Sequence, residues 1–252
     1  MESEKQFSGI YQKLLKEEKM KKVAIVSAMA EETKYTHEYL AGRDDWVRED
    51  EEHYINKKAG MDVIVKVLGV GKVNAAFRTA DLIKEFCPEL IVNIGVSGGL
   101  AERVKRGTVA IGESYIQTDF QPYKKENNPK INNTSEEIIR GLAKEAKNRG
   151  FDYIVGKLAT GDFFLNDESV RKSIIAEYHP ISFDMETAAI AQVATAKDIE
   201  FAAIRIFSDL ADEDAVKAIE NPAPDEEELL IRKKLANRPT EIIVGYLEKE
   251  II

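Results

Sequence analysis

Short apolar runs of strand-forming residues recur along this chain, and segments of helical spacing separate them. Val23-Ala24-Ile25-Val26 is the first such run, followed by residues 61–68 and by Leu90-Ile91-Val92-Asn93-Ile94; residues 108–117, 153–158 and 201–207 continue the series. Runs that are apolar throughout, rather than alternating with polar residues, belong to strands covered on both faces. Between them, residues 73–86, 134–148, 185–197 and 226–250 repeat at helical spacing. The first of these stops before Pro88, which disfavours helix in the residue ahead of it. The second opens with Thr134 as N-cap and Glu137 three residues on, the pattern of a capping box. This alternation predicts an α/β chain: a single three-layer α/β/α domain around a central mixed, mostly parallel twisted sheet. Residues 5–22 read as an amphipathic helix ahead of the first strand. The expected division is therefore an N-terminal helical extension, 1–21, and one domain, 22–252.

Composition narrows the function classes. Among 252 residues, 44% are hydrophobic and 32% charged, enough to bury a large core. Net charge is −9 and the cations are scattered, which predicts no nucleic-acid partner and no attraction to an anionic membrane surface. No apolar run reaches the roughly 18 residues that span a bilayer, and no apolar signal segment follows the charged Met1-Glu2-Ser3-Glu4-Lys5. One cysteine, Cys87, allows no internal disulfide and suits a reducing, cytoplasmic setting. His37, His53 and His179 lie far apart with no Cys or His at ligand spacing, so they read as ordinary surface or loop histidines and no metal is expected.

In open α/β sheets, ligands bind beyond the carboxyl ends of the strands. Four strand exits here carry small or chemically able residues: Ser27 to Glu32, Gly69-Val70-Gly71-Lys72, Gly95-Val96-Ser97-Gly98-Gly99 and Ser208-Asp209. Lys72 reads as a cation solvating a helix start. Asp184-Met185-Glu186 opens a helical segment, and Arg205 sits within a β run, where an unpaired cation would be costly. The glycine pattern fits neither a P-loop nor a dinucleotide fingerprint, and no cofactor is expected.

These residues are similar, in order and interval, to the 5′-methylthioadenosine/S-adenosylhomocysteine nucleosidases of the nucleoside phosphorylase superfamily. The match runs through Ala28-Met29-Ala30-Glu31-Glu32, Gly69 to Ala76, Asn93 to Leu100, Gly107 to Ile111, Thr160 to Phe164, Asp184-Met185-Glu186 with Ala188 to Ala191, and Arg205 to Asp212. The resemblance implies hydrolysis of an adenine N-glycosidic bond in a 5′-thio nucleoside, without a cofactor, by a homodimer. It implies Asp209 as the acid that protonates the purine, oriented by Ser208, and Glu32 as the base that activates water. Glu186 would grip the ribose hydroxyls, Arg205 would help hold the water and the carboxylate, and Met185 would lie against the sugar. Phe164 would stack on adenine, the backbone of Leu165 would read its edge, and Met29, Val96 and Gly98 would line the pocket.

The chain also departs from that pattern. Val96 stands where the family commonly has a hydroxyl, with Ser97 one step on, and residues 118–133 keep Asp119-Phe120 but lose the usual glycine and aromatic pattern. Another purine nucleosidase, such as a futalosine or 5′-deoxyadenosine hydrolase, and a phosphorolytic relative remain alternatives, as does a nucleoside-binding sensor. Glu31 and Glu32 at the first strand exit would repel phosphate and favour hydrolysis.

Overall fold

A computed structural model of the protein describes residues 20–102, 104–122, 127–209 and 226–249; within them, the side chains of residues 208, 209, 227–229 and 232 fall outside the description. The helix expected at 5–22 lies outside the described residues up to position 19, and its last two residues, Lys21 and Lys22, belong to strand β1 instead. The strands are β1 (Lys21–Ser27), β2 (Val47–Arg48), β3 (His53–Asn56), β4 (Met61–Val67), β5 (Leu90–Gly99), β6 (Val109–Gln117), β7 (Tyr153–Thr160), β8 (Ser182–Asp184) and β9 (Glu200–Asp209). The helices are α1 (Ala30–Ala41), α2 (Lys72–Phe86), α3 (Glu136–Asn148), α4 (Glu168–Tyr178), α5 (Thr187–Ala196) and α6 (Glu226–Leu247).

Every strand expected from an apolar run forms, and all nine join one mixed sheet. β1 pairs in parallel with β4 and β5, β5 with β9, and β7 with both β6 and β8. The β2–β3–β4 hairpins, β5–β8 and β6–β9 are antiparallel. Because β5 pairs with both β8 and β9, the strands β5-β8-β7-β6-β9 close on themselves, a curl that strand alternation alone does not announce. Helices α1, α3 and α6 pack one core against Val23, Ile25, Val92, Ile94, Ile204 and Ile206. Helices α2 and α5 cover the opposite face, over Ala24, Val26, Ile91, Ala203 and Phe207. That two-sided cover explains the continuous apolar runs. Among the described residues no helix is long and apolar enough to cross a membrane.

Two expected helix starts are corrected. The N-cap of α3 is Ser135, whose Oγ accepts from the Ile138 N–H; Thr134 instead hydrogen-bonds the buried Tyr115 hydroxyl. The segment expected as a helix from Met185 begins only at Thr187, because Ser182-Phe183-Asp184 is drawn into the sheet between β5 and β7. Helix α6 contains Pro239, and the next residue, Thr240, is hydrogen-bonded at 2.7 Å to Thr36 of α1 in the interior. This contact ties down the helix that carries Glu32.

Candidate active site

The carboxyl ends of β1, β5 and β9 converge with the start of α5, and four ionisable side chains meet there. Glu32 stands in the first turn of α1, and its carboxylate reaches back over the turn. Oε2 accepts from the backbone N–H groups of Ala28 (3.2 Å) and Met29 (3.1 Å), while Oε1 accepts from the Val96 N–H on β5 at 2.8 Å. Turning back to the N-cap amide is the glutamate half of a capping box; the third bond crosses to the central strand. Glu32 is buried, and these three N–H groups hold its orientation.

Gly95 makes that approach possible. Its φ is +138°, and a Cβ built there would lie 2.2 Å from Glu32 Oε1 and 2.9 Å from Arg205 Nη1. Arg205 faces Gly95 directly across the β5–β9 ladder. One missing methyl group thus lets a carboxylate and a guanidinium crowd the same point of the strand, a use of glycine that only the folded register reveals.

The buried Arg205 is surrounded by acceptors. Nη1 donates to the Ile94 carbonyl at 2.9 Å and to Asn93 Oδ1 at 3.4 Å. Nε lies 3.4 Å from Asp184 Oδ2 as an ion pair without hydrogen-bond alignment, and Nη2 lies 3.9 Å from Glu186 Oε2. Glu186 Oε1 accepts from the Gly71 N–H at 2.8 Å, at the positive end of α2. Burial, and next the charge of Asp184, push the Glu186 carboxyl up to about 7; Arg205 and the Gly71 N–H oppose the rise, and Glu32 adds to it.

The remaining expected residues divide into three groups. Met29 and Phe164 present exposed apolar surface, 38% and 49% exposed, as residues lining an open pocket would. Val96, Gly98 and Met185 are half-buried around the same strand ends. Leu165 buries its side chain against Leu100, Ala159, Ile174 and Phe183, so only its backbone is left to meet a ligand. Ser208 and Asp209 belong to β9 by their backbone, where Asp209 pairs with Gly98 and Ser208 is the extra residue of a bulge; their side chains lie outside the described residues.

Sequence reasoning missed two features. Asp184, taken only as a helix opening, is a buried hub beneath Glu186 and Arg205. Lys72, expected only to solvate a helix start, is tied down: Nζ donates to Gln117 (3.1 Å) and Asp119 (2.6 Å), while its backbone N–H donates to Asp162. Asp162 in turn donates its N–H to Asp119, so three strand exits are laced together beside Gly71. Short polar side chains at successive strand exits were the available signal, but their pairing depends on the curl of the sheet. Two of the histidines are engaged rather than merely exposed, His37 with Tyr54 and His53 with Asp62, while His179 is exposed at the end of α4. Among the described residues no group of three His, Cys, Asp or Glu side chains is placed to hold a metal ion.

A curled mixed sheet whose strand exits gather three carboxylates around one buried arginine defines a class of α/β protein built to bind a small polar ligand. Residues 22–248 match the family model described as "Phosphorylase superfamily". The chain is 31% identical over 199 residues to the 5′-methylthioadenosine/S-adenosylhomocysteine nucleosidase of Geobacillus sp. (strain WCH70), covering 75% of this chain and 86% of the relative. Among solved structures, it is similar to the nucleosidase of that name from Neisseria meningitidis in complex with methylthio-immucillin-A. There the identity is 26% and the TM-score 0.75, covering 91% of this chain and 99% of the other. A futalosine hydrolase of Helicobacter pylori shares the fold, at 20% identity, a TM-score of 0.76, and coverage of 91% and 98%. The chain belongs to the phosphorylase superfamily and, within it, to the 5′-methylthioadenosine/S-adenosylhomocysteine nucleosidases.

Proposed function

We propose that this chain hydrolyses the N-glycosidic bond of 5′-methylthioadenosine and S-adenosylhomocysteine type nucleosides, releasing adenine and a 5-thioribose. The observation that carries this reading is the carboxylate lining of the site. Glu32 is pinned by three backbone N–H groups across Gly95 from Arg205, and Arg205 is already engaged by Asp184, Glu186 and the Ile94 carbonyl. Among the described residues no other cation at these strand ends is free for a phosphate, since Lys72 is held by Asp119 and Gln117. Water is therefore the nucleophile that the site's charge favours.

In the reaction, the C1′–N9 bond breaks as positive charge grows on the ribose and negative charge on the leaving base. Glu32 takes a proton from water as the water oxygen bonds to C1′, and its charge stabilises the cationic sugar. Asp209, oriented by Ser208, delivers a proton to purine N7. The Glu186 carboxylate accepts from the 2′- and 3′-hydroxyls, with its two oxygens offering the lone pairs for both. Phe164 stacks on adenine, the Leu165 backbone reads its edge, and Met29, Val96, Gly98 and Met185 form the walls. Arg205 helps hold the water and the catalytic carboxylate in place.

We further propose a homodimer in a reducing, cytoplasmic setting. Val73 and Phe77, one turn apart on α2, are 79% and 63% exposed, with Val70 and Phe120 beside them at 48% and 45%. Exposed apolar side chains gathered at the start of one helix beside a site support a partner surface, and Cys87 is a free thiol, as that compartment permits. The deciding experiment is incubation with methylthioadenosine, with and without inorganic phosphate. Free adenine is expected in both; none in either refutes the enzyme reading, and release only with phosphate refutes hydrolysis.

A further inference from the structure

Asp184 is given no contact of its own with substrate, yet its carboxylate is heavily engaged. Oδ1 accepts from the Thr160 hydroxyl (2.8 Å) and from the backbone N–H groups of Glu186 (3.1 Å) and Thr187 (3.0 Å). Oδ2 accepts from the Thr187 hydroxyl and faces Arg205 Nε at 3.4 Å. The direction of each proton is fixed by a further neighbour. Thr187 Oγ1 already accepts from Asn93 Nδ2 (2.8 Å), and Thr160 Oγ1 from the Ala188 N–H (3.0 Å), so both hydroxyl protons turn to Asp184. Everything around this carboxylate donates.

The consequence concerns Arg205. Its guanidinium is shared between two carboxylates, at 3.4 Å from Asp184 and 3.9 Å from Glu186. Glu186 already spends one oxygen on the Gly71 N–H. Without the pull of Asp184, a shift of about 1 Å would bring Arg205 into a close, charge-assisted pair with the other oxygen, near 2.8 Å. Both oxygens that the ribose diol needs would then be occupied. We propose that Asp184 is a positioning residue that holds the Arg205 guanidinium off Glu186 and fixes the Glu186-Thr187 turn, keeping the Glu186 carboxylate open to the ribose hydroxyls. This inference rests on the nucleosidase reading above and deepens it.

The test is Asp184→Asn, which keeps the shape and the Oδ1 bonds but removes the charge facing Arg205 and turns an amide NH2 toward Arg205 Nε and the Thr187 hydroxyl. The groups that act on Glu186 are Asp184 on β8, Arg205 on β9, Glu32 on α1 and the Gly71 N–H at the start of α2; the nearby Lys72 ammonium is paired with Asp119, and Asp162 accepts the Lys72 backbone N–H. Asp184 is one of the charges that raise the Glu186 carboxyl to about 7, so its removal is expected to move the acid limb of the pH profile of kcat/KM below that of the wild type. The expected result is an apparent KM for methylthioadenosine at least about tenfold higher, a smaller change in kcat, and that downward limb shift. An unchanged KM, or an equal loss of kcat at every pH with the limb in place, would overturn the proposal and leave Asp184 a packing residue. Should the Asn variant fail to fold, Asp184→Glu restores the charge: a limb at the wild-type position supports the proposal, and a limb displaced as for lost charge overturns it. Wild-type protein that releases no adenine would refute the nucleosidase reading itself, whereas active wild type with an unaltered variant refutes only this inference.

Discussion

Replacing Glu186 with glutamine should remove a binding group and stabilise the fold, and the size of the second effect follows from the site. The Glu186 carboxyl is raised from 4.5 to about 7, and a gap of about 2.5 pH units at ~1.4 kcal/mol each is worth about 3 kcal/mol. The sign runs against the usual carboxylate case. Between pH 4.5 and 7 the folded chain keeps the proton that the unfolded chain has released, so stability falls as pH rises through that window and levels off above 7. Glutamine carries no such penalty, and its Oε1 still accepts from the Gly71 N–H. The attraction to Arg205 at 3.9 Å is already contained in that net shift, as one of the effects that oppose it. Glu186→Gln should therefore be about 3 kcal/mol more stable than wild type at pH 9 and close to it at pH 5. At ~2–4 °C per kcal/mol for a chain of this size, Tm should rise by roughly 6–12 °C at pH 9. Thermal unfolding at both pH values decides the matter. A Tm difference that is equal at pH 5 and pH 9, or a less stable variant at pH 9, would refute the reasoning.

Three further outcomes are expected. Glu32→Gln must set an amide nitrogen against the N–H of Val96 or those of Ala28 and Met29; it should cost about 1–3 kcal/mol in denaturant unfolding and lower kcat at least ~100-fold. Gly95→Ala places a methyl 2.2 Å from Glu32 Oε1 at a φ of +138°, so adenine release should be lost, and a variant near wild-type rate would show that Glu32 is not needed where it stands. Asp209→Asn should leave Tm unchanged and lower turnover by ~100-fold or more; near wild-type turnover would remove Asp209 from the role of acid.

Much of the fold was legible because burial on both faces leaves unbroken apolar strings, as at Val23 to Val26 and Leu90 to Ile94. The three residues of β8 were not, because Ser182-Phe183-Asp184 has no run length of its own and becomes a strand only by pairing with β5 and β7. Thr134 and Ser135 are both able caps, and only the position of the Tyr115 hydroxyl decides that Thr134 is used elsewhere. In the site, Glu32, Glu186 and Arg205 were expected and do converge. The glycine that lets two of them meet and the aspartate that holds the third in place were hidden, since each acts through residues on other strands and helices that only the folded register brings beside it. Gly95 acts against Glu32 and Arg205, while Asp184 links β7 and β9.

The central claim is that water, activated at Glu32, displaces adenine from C1′. Turnover of methylthioadenosine in ¹⁸O-water, in buffer containing phosphate, tests it most directly. Free adenine is expected together with a thioribose carrying one ¹⁸O at its anomeric hydroxyl. A sugar 1-phosphate, or unconsumed nucleoside with no adenine, would contradict it.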